Sequence, residues 1–214
     1  MKISWLGHAA FLLETKKGTK IITDPYESGS YSGAVGYAPI GMEPDIVTVS
    51  HYHFDHGYTK DFSSAKVLDK EGVFSLADVE VEGILSYHDK EKGAQRGKNI
   101  IFIIKAEDLK IIHFGDLGTL DLDYAKLENP DVVLVPVGGT FTIDAKEATQ
   151  LIERLKPKIT IPMHFKTPKL GFNIGGVEEF LEGKKNVERG LDFIEISKDS
   201  LTHPPKVVVL NFLR

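Results

Sequence analysis

The sequence predicts an α/β fold, and three observations predict it. Short apolar and β-branched runs recur along the chain, a clear helical face emerges only after residue 144, and histidine or aspartate stands just past one strand-like run after another. Strands come first and strand–helix alternation follows, the order of a mixed α/β protein rather than a helical bundle.

The elements follow in order. Residues 3–6, 10–14 and 20–23 predict three short strands joined by tight turns, with Gly18 at a turn position. The glycine-, serine- and tyrosine-rich stretch 26–43 predicts a long loop, either a functional lid or a variable surface segment. Strands are expected at 46–49, 66–68, 83–86, 100–105, 109–113 and 132–135. Asp144 opens a helix, because Glu147 completes a capping box and Ala148, Leu151, Ile152 and Leu155 share one face. Pro157 ends it. A strand at 159–161, a short helix at 176–181 and strands at 193–196 and 207–210 complete the chain.

With 214 residues, 42% of them hydrophobic, one sizeable core and a single domain over 1–214 are expected. No apolar run approaches the ~18 residues that cross a membrane. The opening is one lysine and then strand-like sequence, unlike an export signal, so the cytoplasm is the expected location. The chain has no cysteine, which excludes disulfides and thiolate ligands. A net charge of −5 and scattered lysines argue against nucleic acid, which calls for a concentrated basic stripe. The densest basic group, Lys156, Lys158, Lys166 and Lys169, is broken by prolines and reads as solvated surface. The expected partner is a small-molecule substrate, with neither nucleic acid nor membrane. Plentiful lysine and glutamate beside scarce asparagine and glutamine fit a heat-adapted source.

The chemistry lies at the strand ends. His51 follows IVTVS, His88 follows ILSY, Asp116 follows IIHFG and His164 follows ITIPM. Such positions are rigid, and four of them carrying metal-type residues argue for one shared site. The segment His51-Tyr52-His53-Phe54-Asp55-His56 is the densest. Imidazole and carboxylate donors suit zinc, iron or manganese. In extended backbone His51 and His53 point the same way, and Asp55 and His56 lie beyond a bend. One segment can therefore supply two ligands to each of two ions.

HYHFDH resembles the signature of the metallo-β-lactamase superfamily, and SYHD, HFGD and IPMH resemble its later motifs in the same order. The resemblance covers residues 2–170. It is greatest to a branch of small metal-dependent hydrolases similar to the ascorbate-6-phosphate lactonases and the N-acyl-phosphatidylethanolamine phospholipases D. GHAAFLLET, ITDPY and VPVGGTFTID also look like that branch. The resemblance implies a four-layer αββα sandwich, two mixed β-sheets face to face with helices outside. It implies that His51, His53 and His88 hold one metal ion, that Asp55, His56 and His164 hold a second, and that Asp116 bridges them. The implied cofactors are two divalent ions, zinc first, with Mn²⁺ or Fe²⁺ as alternatives. Two such ions sharing a water lower its pKa from about 15.7 to near 7. The implied reaction is therefore hydrolysis of an ester, lactone, amide, thioester or phosphodiester bond in a small molecule. No GxSxG elbow offers a serine nucleophile instead. One departure is Leu117, where the branch usually has threonine.

Asp55, which would both ligate and orient the nucleophile, is the first candidate catalytic residue; His8 and His113 are the others. His8, in the GHA turn, could face the metals and act near the substrate. His113 reads either as a proton shuttle or ligand support, or as a hydrogen-bonded core histidine. Asp24 is an acceptor for a ligand histidine or a turn residue before Pro25. His203, beside two prolines, reads as structural or exposed. Substrate choice would reside in 26–43 and 166–175. Two other functions compete. A di-iron oxidoreductase of the same fold would carry a carboxylate where His53 stands, and a non-catalytic metal-binding module would have lost ligands that this chain keeps.

Overall fold

The computed structural model describes residues 1–201 and 204–214, so the reading of His203 lies outside the described residues. In chain order the strands are β1 (Lys2–Gly7), β2 (Ala10–Glu14), β3 (Lys20–Thr23), β4 (Ile46–Thr48), β5 (Lys66–Leu68), β6 (Gly72–Leu76) and β7 (Val79–Tyr87). They continue with β8 (Lys98–Ala106), β9 (Leu109–His113), β10 (Val132–Pro136), β11 (Ile159–Met163), β12 (Val187–Leu191), β13 (Phe193–Glu195) and β14 (Lys206–Leu210). They form two mixed sheets, ordered β13-β1-β2-β3-β4-β5 and β12-β14-β11-β10-β9-β8-β7-β6.

Strand direction decides where a site can form. In the first sheet β1 and β3 both run antiparallel to β2, and β4 is parallel to β3, so β1, β3 and β4 end at one edge. In the second, β7 and β9 both run antiparallel to β8, and β9, β10 and β11 are parallel. Hence β7, β9 and β11 also end together. Nearly every predicted chemical residue follows one of these six ends.

The sheets pack face to face through the period-two alternation of their strands. Ile3, Trp5, Phe11, Leu13, Ile21 and Ile46 join residues of the second sheet in the main core. Leu6, Leu12, Ile22 and Val47 point the other way, into a second core completed by Tyr26, Tyr37, Ile40, Leu170 and Ile174. The stretch 26–43 is therefore a structural layer. Tyr26 and Tyr37 are buried at 2% and 0% exposure, and the Tyr26 hydroxyl donates to the Ala38 carbonyl. On this side of the expected sandwich an ordered loop forms most of the outer layer. Among the described residues only the helix Ala145–Leu155 is longer than four residues. Asp144 caps it in the expected box, and Ala145, Ala148, Leu151 and Leu155 are buried.

Two strands were not legible in the sequence, β6 and β12. They are the two edges of the second sheet, and most of their residues are exposed or half-buried, so no buried face imposes a hydrophobic pattern. Among the described residues no helix is long and apolar enough to cross a membrane.

Candidate metal centre

Each strand end delivers one part of the centre. His8 follows β1, Asp24 follows β3, and the segment 51–56 follows β4; His88, Asp116 and His164 follow β7, β9 and β11. His8, Asp24 and His164 have φ of 52°, 37° and 50°. This left-handed backbone is uncommon for residues other than glycine and is concentrated at functional sites. It turns each chain sharply as it leaves the sheet.

Donor atoms of His51, His53 and His88 converge in one group, and those of His8, Asp55, His56 and His164 in another. Asp116 stands between them. Its Oδ2 lies 3.3 Å from His88 Nε2 and 3.7 Å from His51 Nε2, while its Oδ1 lies 3.2 Å from His56 Nε2 and 3.3 Å from His164 Nε2. The six residues named from strand ends and HYHFDH as histidine or aspartate ligands, together with Asp116, thus lie in one cluster.

Hydrogen bonds orient the imidazoles. Ser50 Oγ donates to Asp24 Oδ2 at 2.5 Å, so His51 Nδ1–H donates to Ser50 Oγ at 3.0 Å. His56 Nδ1–H donates to Asp24 Oδ2 at 3.0 Å. Both rings therefore turn Nε2 toward the cluster, the arrangement in which an outer carboxylate orients a ligand imidazole. Asp116 is held from behind, its backbone N–H donating to Asn99 Oδ1 at 2.9 Å while the Asn99 amide donates to the Phe114 carbonyl. Of these supports only Asp24 was legible in the sequence. Ser50 had a local signal, its place before His51, whereas Asn99 comes from β8 and had none.

The electrostatics of the cluster suit a cation. Burial would raise the Asp116 carboxyl, but His164 and His56 hold it well below the usual carboxylate range. Burial, followed by His56, pushes His51 down to about 3, and burial, followed by His164, pushes His8 down to about 4. Burial also acts to lower His56, yet the Asp116 and Asp55 carboxylates outweigh it and raise its pKa well above the ordinary value. His56 Nε2 and Asp116 Oδ1 are buried and make no hydrogen bond. Buried polar atoms left so cost about 1–3 kcal/mol each, a cost that a coordinated ion removes. Carboxylates and lone-pair imidazoles without thiolate form a donor set for a divalent transition metal.

His8 belongs to the cluster: Nε2 donates to Asp55 Oδ2 at 3.0 Å, and its carbonyl accepts from Trp5 Nε1 at 2.9 Å. His113 does not. It is fully buried, its Nε2 donates to the Ala9 carbonyl at 2.9 Å, and its Nδ1 accepts from the Gly115 N–H at 3.3 Å. The Nε2 bond ties the end of β9 to the first sheet and the Nδ1 bond closes the turn after it, the arrangement of a hydrogen-bonded core histidine. Leu117 is fully buried in the main core, with its carbonyl accepting from Ile143 N–H at 2.7 Å. Tyr31, absent from the sequence reading, donates from its hydroxyl to Asp55 Oδ1 at 3.3 Å.

The sequence profile of the beta-lactamase superfamily domain matches residues 2–164, which contain every residue of the cluster. The chain belongs to the metallo-β-lactamase superfamily. A UPF0173 metal-dependent hydrolase of Methanosarcina barkeri is 35% identical, over 78% of this chain and 84% of the relative. One from Methanosarcina mazei is 33% identical with the same coverage. A crystal structure from Thermotoga maritima, described as a Zn-dependent hydrolase of the metallo-β-lactamase superfamily, is 36% identical with a TM-score of 0.79, covering 98% of this chain and 97% of that one. In this superfamily member the two sheets meet as that fold requires, and the outer layer over the first sheet is built from loop.

Proposed function

We propose that this chain is a hydrolase that holds two divalent ions, zinc first among them, and cleaves an ester, lactone or phosphodiester bond in a small molecule. His51, His53 and His88 would hold one ion and Asp55, His56 and His164 the other, with Asp116 shared. The observation that carries the reading is Asp116, whose two oxygens face two different histidine pairs. The relatives' description as metal-dependent hydrolases supports it. When bound, such ions supply Lewis acidity and bring a water's pKa from about 15.7 to near 7.

The chain's own residues organise that chemistry. Asp24 and Ser50 set the tautomers of His56 and His51, so these rings need not reorient to accept a cation. Asp55 is held from both oxygens, by His8 Nε2 and by the Tyr31 hydroxyl. Burial and the Asp55 carboxylate push Tyr31 up to about 12, so it stays a donor at neutral pH. Preorganised donors and acceptors of this kind act without reorganisation during reaction. Among the described residues no helix can cross a membrane, and the proposed setting is the cytoplasm.

The test is metal content and turnover in one preparation, against ester, lactone, thioester and phosphodiester substrates. The expected result is two zinc or manganese ions per chain and turnover abolished by chelator. Protein that stays metal-free under loading conditions would refute the reading, and two irons without hydrolysis would replace it with a redox function.

A further inference from the structure

Four aromatic rings from four separate segments stand beside the centre. Tyr31 lies edge-on to Phe54 with centroids 5.8 Å apart and edge-on to Phe172 at 5.3 Å, and Phe172 lies edge-on to Phe141 at 6.0 Å. The chain of rings touches the cluster twice. Phe172 packs 5.8 Å from the His8 ring, and the Tyr31 hydroxyl reaches Asp55. Yet Tyr31, Phe54 and Phe141 are 44%, 62% and 36% exposed.

Contiguous exposed apolar surface of this kind marks a binding site, and edge-to-face contacts hold the rings in fixed relation. The backbone is strained to place them. Tyr31 and Ser32 have φ of 51° and 57°, and Thr140, next to Phe141, has φ of 65°. Bulky residues avoid that conformation unless the surroundings impose it. Tyr31 and Phe172 also come from 26–43 and 166–175, the segments in which the sequence locates substrate choice. Continuity with Asp55 and His8 argues that the occupant is the substrate itself.

We propose that this arc is an acyl-binding wall, and that the substrate is an ester or thioester with an apolar acyl group, a hydrocarbon chain or an aromatic ring. The inference rests on the hydrolytic reading above and names its substrate class. The cluster offers an acyl group only imidazoles and carboxylates; the rings are the adjoining surface on which methylenes leave water. Small-molecule sites commonly combine such apolar walls with a few placed polar groups.

The experiment is calorimetric binding of acetate, butyrate, hexanoate and phenylacetate, the acids such esters release, to zinc-loaded wild type, Phe172→Ala, Phe141→Ala and Phe172→Leu. Phe141 is exposed and Phe172 half-buried, so folded variants are expected, with thermal melts as the check. Affinity should rise up to about fourfold per added methylene, flatten in both alanine variants, and recover in part with leucine. Equal affinity across the series in wild type, or an unaltered gradient in both alanine variants, would overturn the proposal. Turnover of the matching esters, measured in parallel, separates it from the reading beneath it. A gradient without turnover keeps the wall and sinks the hydrolase; turnover without a gradient does the opposite.

Discussion

Asp24 and His56 form a fully buried pair, carboxylate Oδ2 to imidazole Nδ1 at 3.0 Å, and the same oxygen accepts from Ser50. One carboxylate thus governs two imidazoles, His56 directly and His51 through Ser50. Asp24→Ala should weaken metal binding about 10–100-fold, the usual cost of losing such a partner. Competition with a chromophoric chelator measures it. Affinity within twofold of wild type would mean that the pair only packs the turn before Pro25.

Gly118 lies against the segment that carries His88. A Cβ there would run into the His88 carbonyl carbon and the Asp89 nitrogen, both backbone atoms. Gly118→Ala must therefore displace one backbone or the other, at about 1–3 kcal/mol for overpacking. The expected outcome is a folded protein that binds fewer than two ions, read by elemental analysis alongside circular dichroism. Full occupancy would show that the loop yields without moving His88.

His53 and Asp55 sit in different donor groups, so their loss should differ in kind. Both His53→Ala and Asp55→Ala are expected to abolish hydrolysis and leave the fold largely intact. Exposed His53 lies at the rim of the first group, whereas Asp55 is buried. His53→Ala should therefore leave the melting temperature nearly unmoved, and Asp55→Ala should shift it measurably. Near-normal turnover in either variant would refute the ligand assignment.

How much of this was legible follows from what each residue contacts. The clustered residues were legible because each lies in a segment that follows an apolar strand, and strand runs are readable one segment at a time. Asn99 and Tyr31 were not, because their roles depend on chain segments that only the fold brings together. Asn99 reaches Asp116 across β8 and β9, and Tyr31 reaches Asp55 from a left-handed turn between Gly29 and Gly33. The stretch 26–43 was legible as a long loop but not as a packed layer. Its composition is that of a loop, but Tyr26, Tyr37 and Ile40 bury themselves on the first sheet as a helix face would.

His56 makes metal loading depend on pH, and the sign can be worked out. Burial alone would favour its neutral form, but Asp116 and Asp55 raise its pKa well above the ordinary value, so the metal-free protein holds a proton there at neutral pH. A ligand imidazole must be neutral, and binding expels that proton. Affinity should therefore rise with pH until His56 titrates, with proton release on loading. Calorimetry in buffers of different ionisation enthalpy measures the protons released. His51, driven down to about 3, adds nothing to that count. Loading without proton release at neutral pH would refute the assignment of His56 as a protonated ligand.

His113 separates a structural histidine from a catalytic one. Its two nitrogens are committed to Ala9 and Gly115, and burial lowers its pKa, so it is neutral and closed to solvent. His113→Phe keeps the ring volume roughly but leaves the Gly115 N–H without its partner, while the Ala9 carbonyl keeps only the Thr23 hydroxyl at 3.2 Å. Each buried group left unsatisfied costs about 1–3 kcal/mol. For a chain of this size 1 kcal/mol moves the melting temperature by about 2–4 °C, so a drop of several degrees is expected. Turnover well below the melting transition should stay within about threefold of wild type with an unchanged pH profile. A proton shuttle would give the reverse pattern, an unmoved melting temperature with kcat reduced a hundredfold or more, the scale of general acid–base catalysis.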